Sequence, residues 1–279
     1  MKKLIGLVLL SVSLVVFAAC GSSEAAEKGK IVVGSQGSDA DVWKFIAKSD
    51  AAKEAGLTIE VQEIDGGPQL NNATSEGEVD VNAFQSLGYL KSYNNDGGGE
   101  LAPIGTTYME PLGVYSSKVD KIEDVKENSV VALADNPANT ARGLKLLEAA
   151  GLIKLKDDFD SGTGTPSDVV ENPKNLEFTL IDDTTGPRVL PDVDLVLISN
   201  TVALEGGLNV LKDAIYYEKV NEDTEDSINV LATKKSRADD AELLKLVDLY
   251  HSKEVQDYVE KTFEGTKVEV KQDIASIFK

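Results

Sequence analysis

Cysteine and histidine each occur once among the 279 residues, as Cys20 and His251. A lone cysteine cannot close an intramolecular disulfide, and a lone histidine cannot supply a two-histidine metal site. Basic residues are also few: 28 Lys and Arg face 48 Asp and Glu, a formal net charge of -20. Nucleic-acid binding needs a basic face that displaces phosphate counterions, and this balance offers none. No Gly-x-Ser-x-Gly elbow and no EF-hand calcium loop appears. Beyond its N-terminal segment the chain has no long apolar run. With 42% hydrophobic and 27% charged residues it is neither a disordered chain nor a multi-span membrane protein. The length suits one large domain or two medium ones.

What is present begins with an address. Lys2 and Lys3 precede an apolar run, Leu4 to Ala19, whose 16 residues fall short of the roughly 20 that a spanning helix needs. A basic start, a short apolar core and small residues at the end describe a secretory signal over 1–19. The run ends Phe17-Ala18-Ala19-Cys20, which resembles a bacterial lipobox with Phe17 in place of the more usual Leu. In such a box the cysteine is lipidated and becomes the mature N-terminus. Residues 20–29 then read as lipidated Cys20 and a small, polar tether.

The body alternates strand and helix. Lys30–Gly34, Leu57–Val61 and Val79–Ala83 are expected strands, separated by a helix running to about Ala55 and a short one over Asn71–Gly77. Ala102–Thr107, Leu112–Tyr115, Ser129–Ala134, Glu177–Ile181, Asp194–Ile198 and Asn229–Ala232 follow as strands. Asn139 or Thr140 is the expected cap of a helix over Ala141–Ala150, and Ser167 of a short helix to Glu171. Ala238–His251 and Ser252–Phe263 close the chain as amphipathic helices. This rhythm predicts an α/β protein with largely parallel sheets, passed through twice. A late strand returning to the first lobe gives lobe I as 30–115 plus 230–279 and lobe II as 116–229. The hinges fall near Gly113–Ser117 and Ser227–Ala232, around a cleft suited to a small molecule.

Few residues carry recognisable chemistry. The turn Gly34-Ser35-Gln36-Gly37-Ser38 fits neither phosphate-loop pattern and reads as a strand-to-helix turn with N–H groups for a small anion. His251 reads as a solvated helix end, and Asp157-Asp158, Asp182-Asp183 and Asp239-Asp240 as solvated loops or helix starts. Arg142, near the start of a helix after Asp135-Asn136-Pro137-Ala138-Asn139, suits a carboxylate, but spacing alone favours a plain surface position on a helix that already carries Lys145. Phe84, Tyr89, Tyr93 and Tyr108 either wall a ligand or fill a core.

Several blocks in order carry a resemblance. Val81-Asn82-Ala83-Phe84-Gln85 with Tyr89-Leu90 is similar to the N-x-F-Q-H-x-x-Y/F-L segment of the MetQ/NlpA family of methionine-binding lipoproteins. Glu110-Pro111-Leu112-Gly113-Val114-Tyr115-Ser116 resembles that family's E-P-x-G-x-Y-S, and Asn136–Arg142, Leu146–Leu155, Glu171–Leu176, Asp192–Asp194 and Ser227–Val230 follow in its order. The resemblance implies a two-lobed, periplasmic-binding-protein-like fold of type II with a central cleft and two hinge crossings. It implies a monomeric substrate-binding protein, anchored outside the cell membrane, that serves an ABC permease and ATPase complex. Neither enzyme activity, a cofactor nor a metal is implied. The ligand would be methionine, a related amino acid or a dipeptide. By position, Phe84 and Tyr89 wall the ligand side chain and Arg142 holds its carboxylate. Asn229, with Asn200 or Thr201, bonds its polar backbone. Ser86 stands where the family has His, a family Tyr near 66–67 is replaced within Asp65-Gly66-Gly67-Pro68, and the Asn-rich turn near 199–202 reads Ser-Asn-Thr-Val. These departures imply a larger or differently polar pocket. The alternatives are a surface interaction or adhesion lipoprotein and an anchored hydrolase.

Overall fold

A computed structural model describes residues 30–97, 100–219 and 222–278. The signal segment, Cys20 and the tether lie outside the described residues.

The first pass opens with β1 (Lys30–Ser35), whose β-branched run is buried on the way into α1 (Gly37–Ile46). One helix to Ala55 was the expectation, but the chain breaks at Ser49. Its hydroxyl donates to the Ile46 carbonyl at 2.7 Å and accepts from Ala52 N–H at 3.1 Å, which ends one helix and starts α2 (Asp50–Glu54). Then come β2 (Thr58–Glu63), α3 (Gly67–Glu76), β3 (Val81–Ser86), α4 (Leu87–Asn95) and β4 (Leu101–Met109). α3 begins earlier than expected because Pro68 pre-sets its first turn. α4 has no strong apolar period. Ser86 nucleates it by accepting from Tyr89 N–H at 3.2 Å.

The second pass holds β5 (Leu112–Tyr115), β6 (Val130–Ala134), α5 (Pro137–Ala149), β7 (Lys154–Leu155), β8 (Val169–Glu171), β9 (Glu177–Ile181), α6 (Gly186–Val189), β10 (Leu195–Ser199), α7 (Asn200–Glu205), α8 (Val210–Asp213) and β11 (Tyr216–Tyr217). Asn136, not Asn139 or Thr140, caps α5, accepting from Asn139 N–H at 2.9 Å, and Pro137 takes the first helical position. The expected helix at Ser167 is a single turn, Pro166–Asp168, closed when Thr165 N–H donates to Asp168 at 2.7 Å; the chain then extends into β8. The return comprises β12 (Ile228–Lys234), α9 (Ala241–Tyr250), α10 (Lys253–Phe263), β13 (Val268–Glu269) and α11 (Ile274–Ile277).

Two sheets result. The six-stranded one runs β13-β4-β12-β3-β1-β2, the five-stranded one β11-β5-β10-β6-β9. In each, the first, second and third parallel strands stand in the order second, first, third, followed by one antiparallel strand: β2-β1-β3-β12 and β9-β6-β10-β5. This shared order is the type II arrangement. β5 pairs with β10, register Val114 with Leu197, so 112–115 belong to the second sheet. The expected end of lobe I at 115 is therefore corrected to Met109, and the first crossing is Glu110–Pro111. Ile228 and Asn229 already pair in the first sheet, opposite Met109 and Ser86, so the return also comes slightly earlier than expected.

The cores differ in kind. Lobe I buries Trp43, Tyr108, Tyr250 and Phe263 among aliphatic side chains; the main core of lobe II is aliphatic, built on residues such as Leu133, Leu144, Leu147 and Leu195. Each fully buried leucine contributes about 1.5–3 kcal/mol. His251 is not solvated. Its side chain is 2% exposed, with Nδ1 2.6 Å from Glu269 Oε1 and Nε2 2.9 Å from the Thr106 carbonyl, because β13 folds back over the end of α9.

Candidate functional site

In an open α/β sheet, ligands gather at the carboxyl ends of the parallel strands. Both sheets turn those ends toward each other here. The turn after β1 supplies Gln36, that after β2 supplies Asp65 to Gln69, and β3 with the start of α4 supplies Phe84, Ser86 and Tyr89. Across the gap, the turn after β6 and the start of α5 give Asp135, Asn136, Asn139 and Arg142. The turn after β9 gives Asp182 and Asp183, and β10 with α7 gives Ser199, Thr201 and Glu205. Together they enclose a cleft of about 730 Å3. α1 packs against α7 on one flank and α4 against α5 on the other, so the lobes touch on both sides of it.

Of the residues read as a site, Phe84, Ser86, Tyr89, Arg142, Thr201 and Asn229 line this cleft. Asn200 does not. It is fully buried behind the cleft, donating to Glu110 Oε2 at 2.9 Å and to Thr266 Oγ1 at 3.2 Å, because α7 begins at this residue and turns its side chain toward the hinge. The aromatic cluster also divides. Phe84 and Tyr89 meet edge to face, centroids 5.9 Å apart, on the lobe I wall. Tyr93 lies outside the cleft, its hydroxyl donating to Asn72, and Tyr108 is core.

Gly67 explains how the loop and the aromatic pair fit. A Cβ there would sit 2.3 Å from the Tyr89 hydroxyl and 3.2 Å from Phe84 Cε2. Tyr89 thus fills the space that a side chain at 67 would need. Burial, reinforced by Asp183, Asp135 and Asp182 across the gap, raises the Tyr89 phenol well above its ordinary range, so it stays a neutral donor. Behind this wall Asn71, Asn82 and Gln85 form a buried amide network with bonds of 2.7–3.1 Å that ties α3 to β3. A satisfied network of this kind rigidifies what it supports.

In sequence, the turn before α1 offers N–H groups to a small anion. That space is occupied: Glu205 Oε1 lies 1.5 Å from where a Cβ on Gly37 would be, with Gly37 at φ +50. A lobe II carboxyl group therefore rests against the first turn of a lobe I helix, and burial with Asp65 and Asp39 nearby raises it above the usual carboxylate value.

The lobe II wall is more heavily charged. Asp183, read as a solvated loop residue, is half-buried and accepts from the Asn136 amide at 3.0 Å and the Asn139 amide at 3.1 Å. Burial, with Asp182 and Asp135 nearby, outweighs those bonds and raises its carboxyl above the usual carboxylate value. Arg142 carries a partner the sequence did not suggest. Its Nε and Nη2 grip the Glu218 carboxylate at 3.2 and 2.5 Å, and Nη2 also donates to the Glu110 carbonyl at 2.7 Å. Burial alone would lower the guanidinium's pKa, but Glu218 and Glu110 hold it above its ordinary value.

Glu110 itself is buried at the first crossing. Its carboxylate takes Lys267 Nζ at 3.1 Å, the Asn200 amide at 2.9 Å and the Thr201 hydroxyl at 3.1 Å. Lys267, wholly buried, also reaches Asp39 at 2.9 Å and lies 4.0 Å above the Tyr108 ring. Burial pushes the Asp39 carboxyl up against the pull of Lys267, whereas at Glu110 the lysine and the amide overcome burial and bring the carboxyl down. No group of His, Cys, Asp and Glu that could hold a metal ion occurs among the described residues.

Two matched lobes, two crossings and a polar cleft with one aromatic wall define a two-lobed binding protein of the type II class. The chain belongs to the NlpA lipoprotein family, whose model matches residues 31–271. It is 32% identical over 278 residues to the methionine-binding lipoprotein MetQ of Bacillus subtilis strain 168, covering 98% of this chain and 100% of that one. Its fold is similar to that of a nutrient-binding protein from Burkholderia cenocepacia bound to methionine, with TM-score 0.82, 35% identity and coverage of 86% and 99%. It is also similar to the substrate-binding protein of a methionine transporter from Streptococcus pneumoniae, with TM-score 0.79, 31% identity and coverage of 86% and 95%. No helix among the described residues is long and apolar enough to cross a membrane.

Proposed function

We propose that this protein captures methionine, a related amino acid or a short peptide in its interlobe cleft and delivers it to an ABC permease and ATPase complex. It does so outside the cell membrane as a monomer held by lipidated Cys20, and it catalyses no reaction. The observation that carries this reading is the pairing across one cleft of an aromatic wall, Phe84 with Tyr89, and a guanidinium, Arg142, in a chain that matches a methionine-binding lipoprotein along its whole length.

The roles follow from the chemistry. Arg142 Nη1 has no protein partner among the described residues and meets the ligand carboxylate. Thr201 and Asn229 bond the polar backbone from opposite lobes, and Phe84 and Tyr89 bury the side chain. Tyr89 occupies the space beside Gly67, so the room for a side chain larger than that of methionine, or for a second residue, lies at Ser86, which is small and lines the cleft. A ligand bound to both walls favours the closed lobes by its differential affinity for that state.

Native mass spectrometry of protein purified without added ligand, followed by denaturation, tests the reading. A released species with the mass of methionine, another amino acid or a dipeptide is expected. Calorimetry with L-methionine and glycylmethionine then ranks the candidates; no heat and no thermal stabilisation with any amino acid or dipeptide would overturn the reading.

A further inference from the structure

Glu218 stands at the end of β11, where the chain leaves lobe II for its second crossing, and nothing in the sequence marks it. Its carboxylate receives Arg142 Nε and Nη2 and also the Leu112 backbone N–H at 3.3 Å, and its own N–H donates to the Leu112 carbonyl at 2.9 Å. Leu112 is the first residue after the first crossing. Arg142 completes the ring by donating to the carbonyl of Glu110, inside that crossing. Both members of the ion pair are largely covered, Arg142 at 16% and Glu218 at 15% exposure, so water screens the pair weakly. One guanidinium on the cleft wall is thereby fastened to both connections between the lobes.

We infer that Glu218 is a positioning residue: it turns the Nη1 edge of Arg142 into the cleft and ties the second crossing to the first, so that ligand and hinge share one guanidinium. Two of the three guanidinium nitrogens are committed to the hinge, which leaves Nη1 for a ligand. A carboxylate bound there pulls on a group that the crossings also hold, so occupancy reaches the hinge without passing through either core. Continuity of contacts alone does not establish coupling; non-additive effects of paired variants do. The hinge half of this inference stands without a ligand, and the cleft half rests on the function proposed above.

The experiment compares the intact wild-type protein with Glu218→Gln, Arg142→Ala and the double variant. Amide hydrogen exchange is followed at Leu112 and at residues 216–219, first without ligand. Each single variant is expected to speed exchange there about tenfold, and the double variant no further, because both break the same link. Unchanged exchange in Glu218→Gln, or effects that multiply in the double variant, would overturn the hinge tie. L-methionine and glycylmethionine are then titrated by calorimetry. Glu218→Gln is expected to bind tenfold or more weakly even though it removes no atom that touches the ligand. Added ligand should slow exchange at Leu112 in the wild type alone. Wild-type affinity in Glu218→Gln, with exchange altered, would overturn the cleft half. If the wild type binds neither probe, the proposed function fails while the ligand-free exchange still decides the tie. Should Glu218→Gln not fold, Glu218→Asp, which keeps the charge but shortens the reach, is read in the same way.

Discussion

The two walls of the cleft come from the same strand order and the same kind of turn, yet they carry opposite chemistry. Apart from Asp65, the lobe I lining is uncharged and includes the Phe84 and Tyr89 pair. The lobe II lining holds Asp135, Arg142, Asp182, Asp183, Arg188 and Glu205. In the proposed function, the first wall reads the shape of an apolar group, and the second reads charge and hydrogen-bonding direction. The difference shows that equivalent positions of a repeated fold are free to specialise, because a strand-to-helix turn constrains backbone direction far more than side-chain identity.

The sharpest way to break the division is at Arg142. Arg142→Ala is expected to weaken ligand binding by about 2–5 kcal/mol, since it strips a desolvated charge partner from the polar wall. Calorimetry on folded protein measures this, and unchanged affinity would show that the lobe II wall does not hold the ligand's carboxylate. Next comes the opposite wall. Tyr89→Ala is expected to cost about 1.5–3 kcal/mol in affinity for an amino acid with a large apolar side chain, and much less for alanine. An equal loss for both would mean that Tyr89 does not read side-chain size.

The scaffold of the charged wall is the third target. Asn136→Ala removes the cap of α5 and one donor to Asp183, and about 1 kcal/mol of stability should go with the cap, as urea denaturation would report. The smallest effect is expected at Asp183. Burial raises its folded-state carboxyl above the unfolded value, so this group adds stability as the pH falls through the folded pKa and opposes folding when ionised at neutral pH. Asp183→Asn should raise Tm slightly at pH 7 and flatten its change toward pH 4.5. A lower Tm at pH 7 would show instead that the ionised carboxylate, with its two amide bonds, is net stabilising.

Much of this architecture is legible in the chain. β-Branched runs mark β1, β2, β6 and β10, and order alone suggests two passes and a late return. Phe84, Ser86, Tyr89, Arg142, Thr201 and Asn229, the positions that the family resemblance singles out, line one cleft. What stayed hidden depends on distant partners. Leu112–Tyr115 is apolar enough for either sheet; β10, some 80 residues later, decides its lobe. Glu218 pairs with Arg142 across 76 positions, and no local pattern announces it. His251 looks like a wet helix end until the segment carrying Glu269 covers it. Asn200 stands beside Thr201 in sequence, yet the first turn of α7 points one at the hinge and lets the other reach the cleft. Two-residue strands such as β11 and β13 have too few side chains to show a period.

The place of β12 in the six-stranded sheet has a consequence for how the molecule matures. It lies between β3 and β4, although more than a hundred residues of chain separate it from both. Until residues 228–234 arrive, β3 and β4 have a vacant slot between them, and each presents an unpaired backbone edge. The second sheet draws every strand from one uninterrupted stretch, 112–217. A chain emerging N-terminus first therefore completes its second lobe before its first, and its earliest-made strands wait longest for their partner. A nascent chain halted just before β12 would be half native and half adhesive, with the gap open to any passing strand.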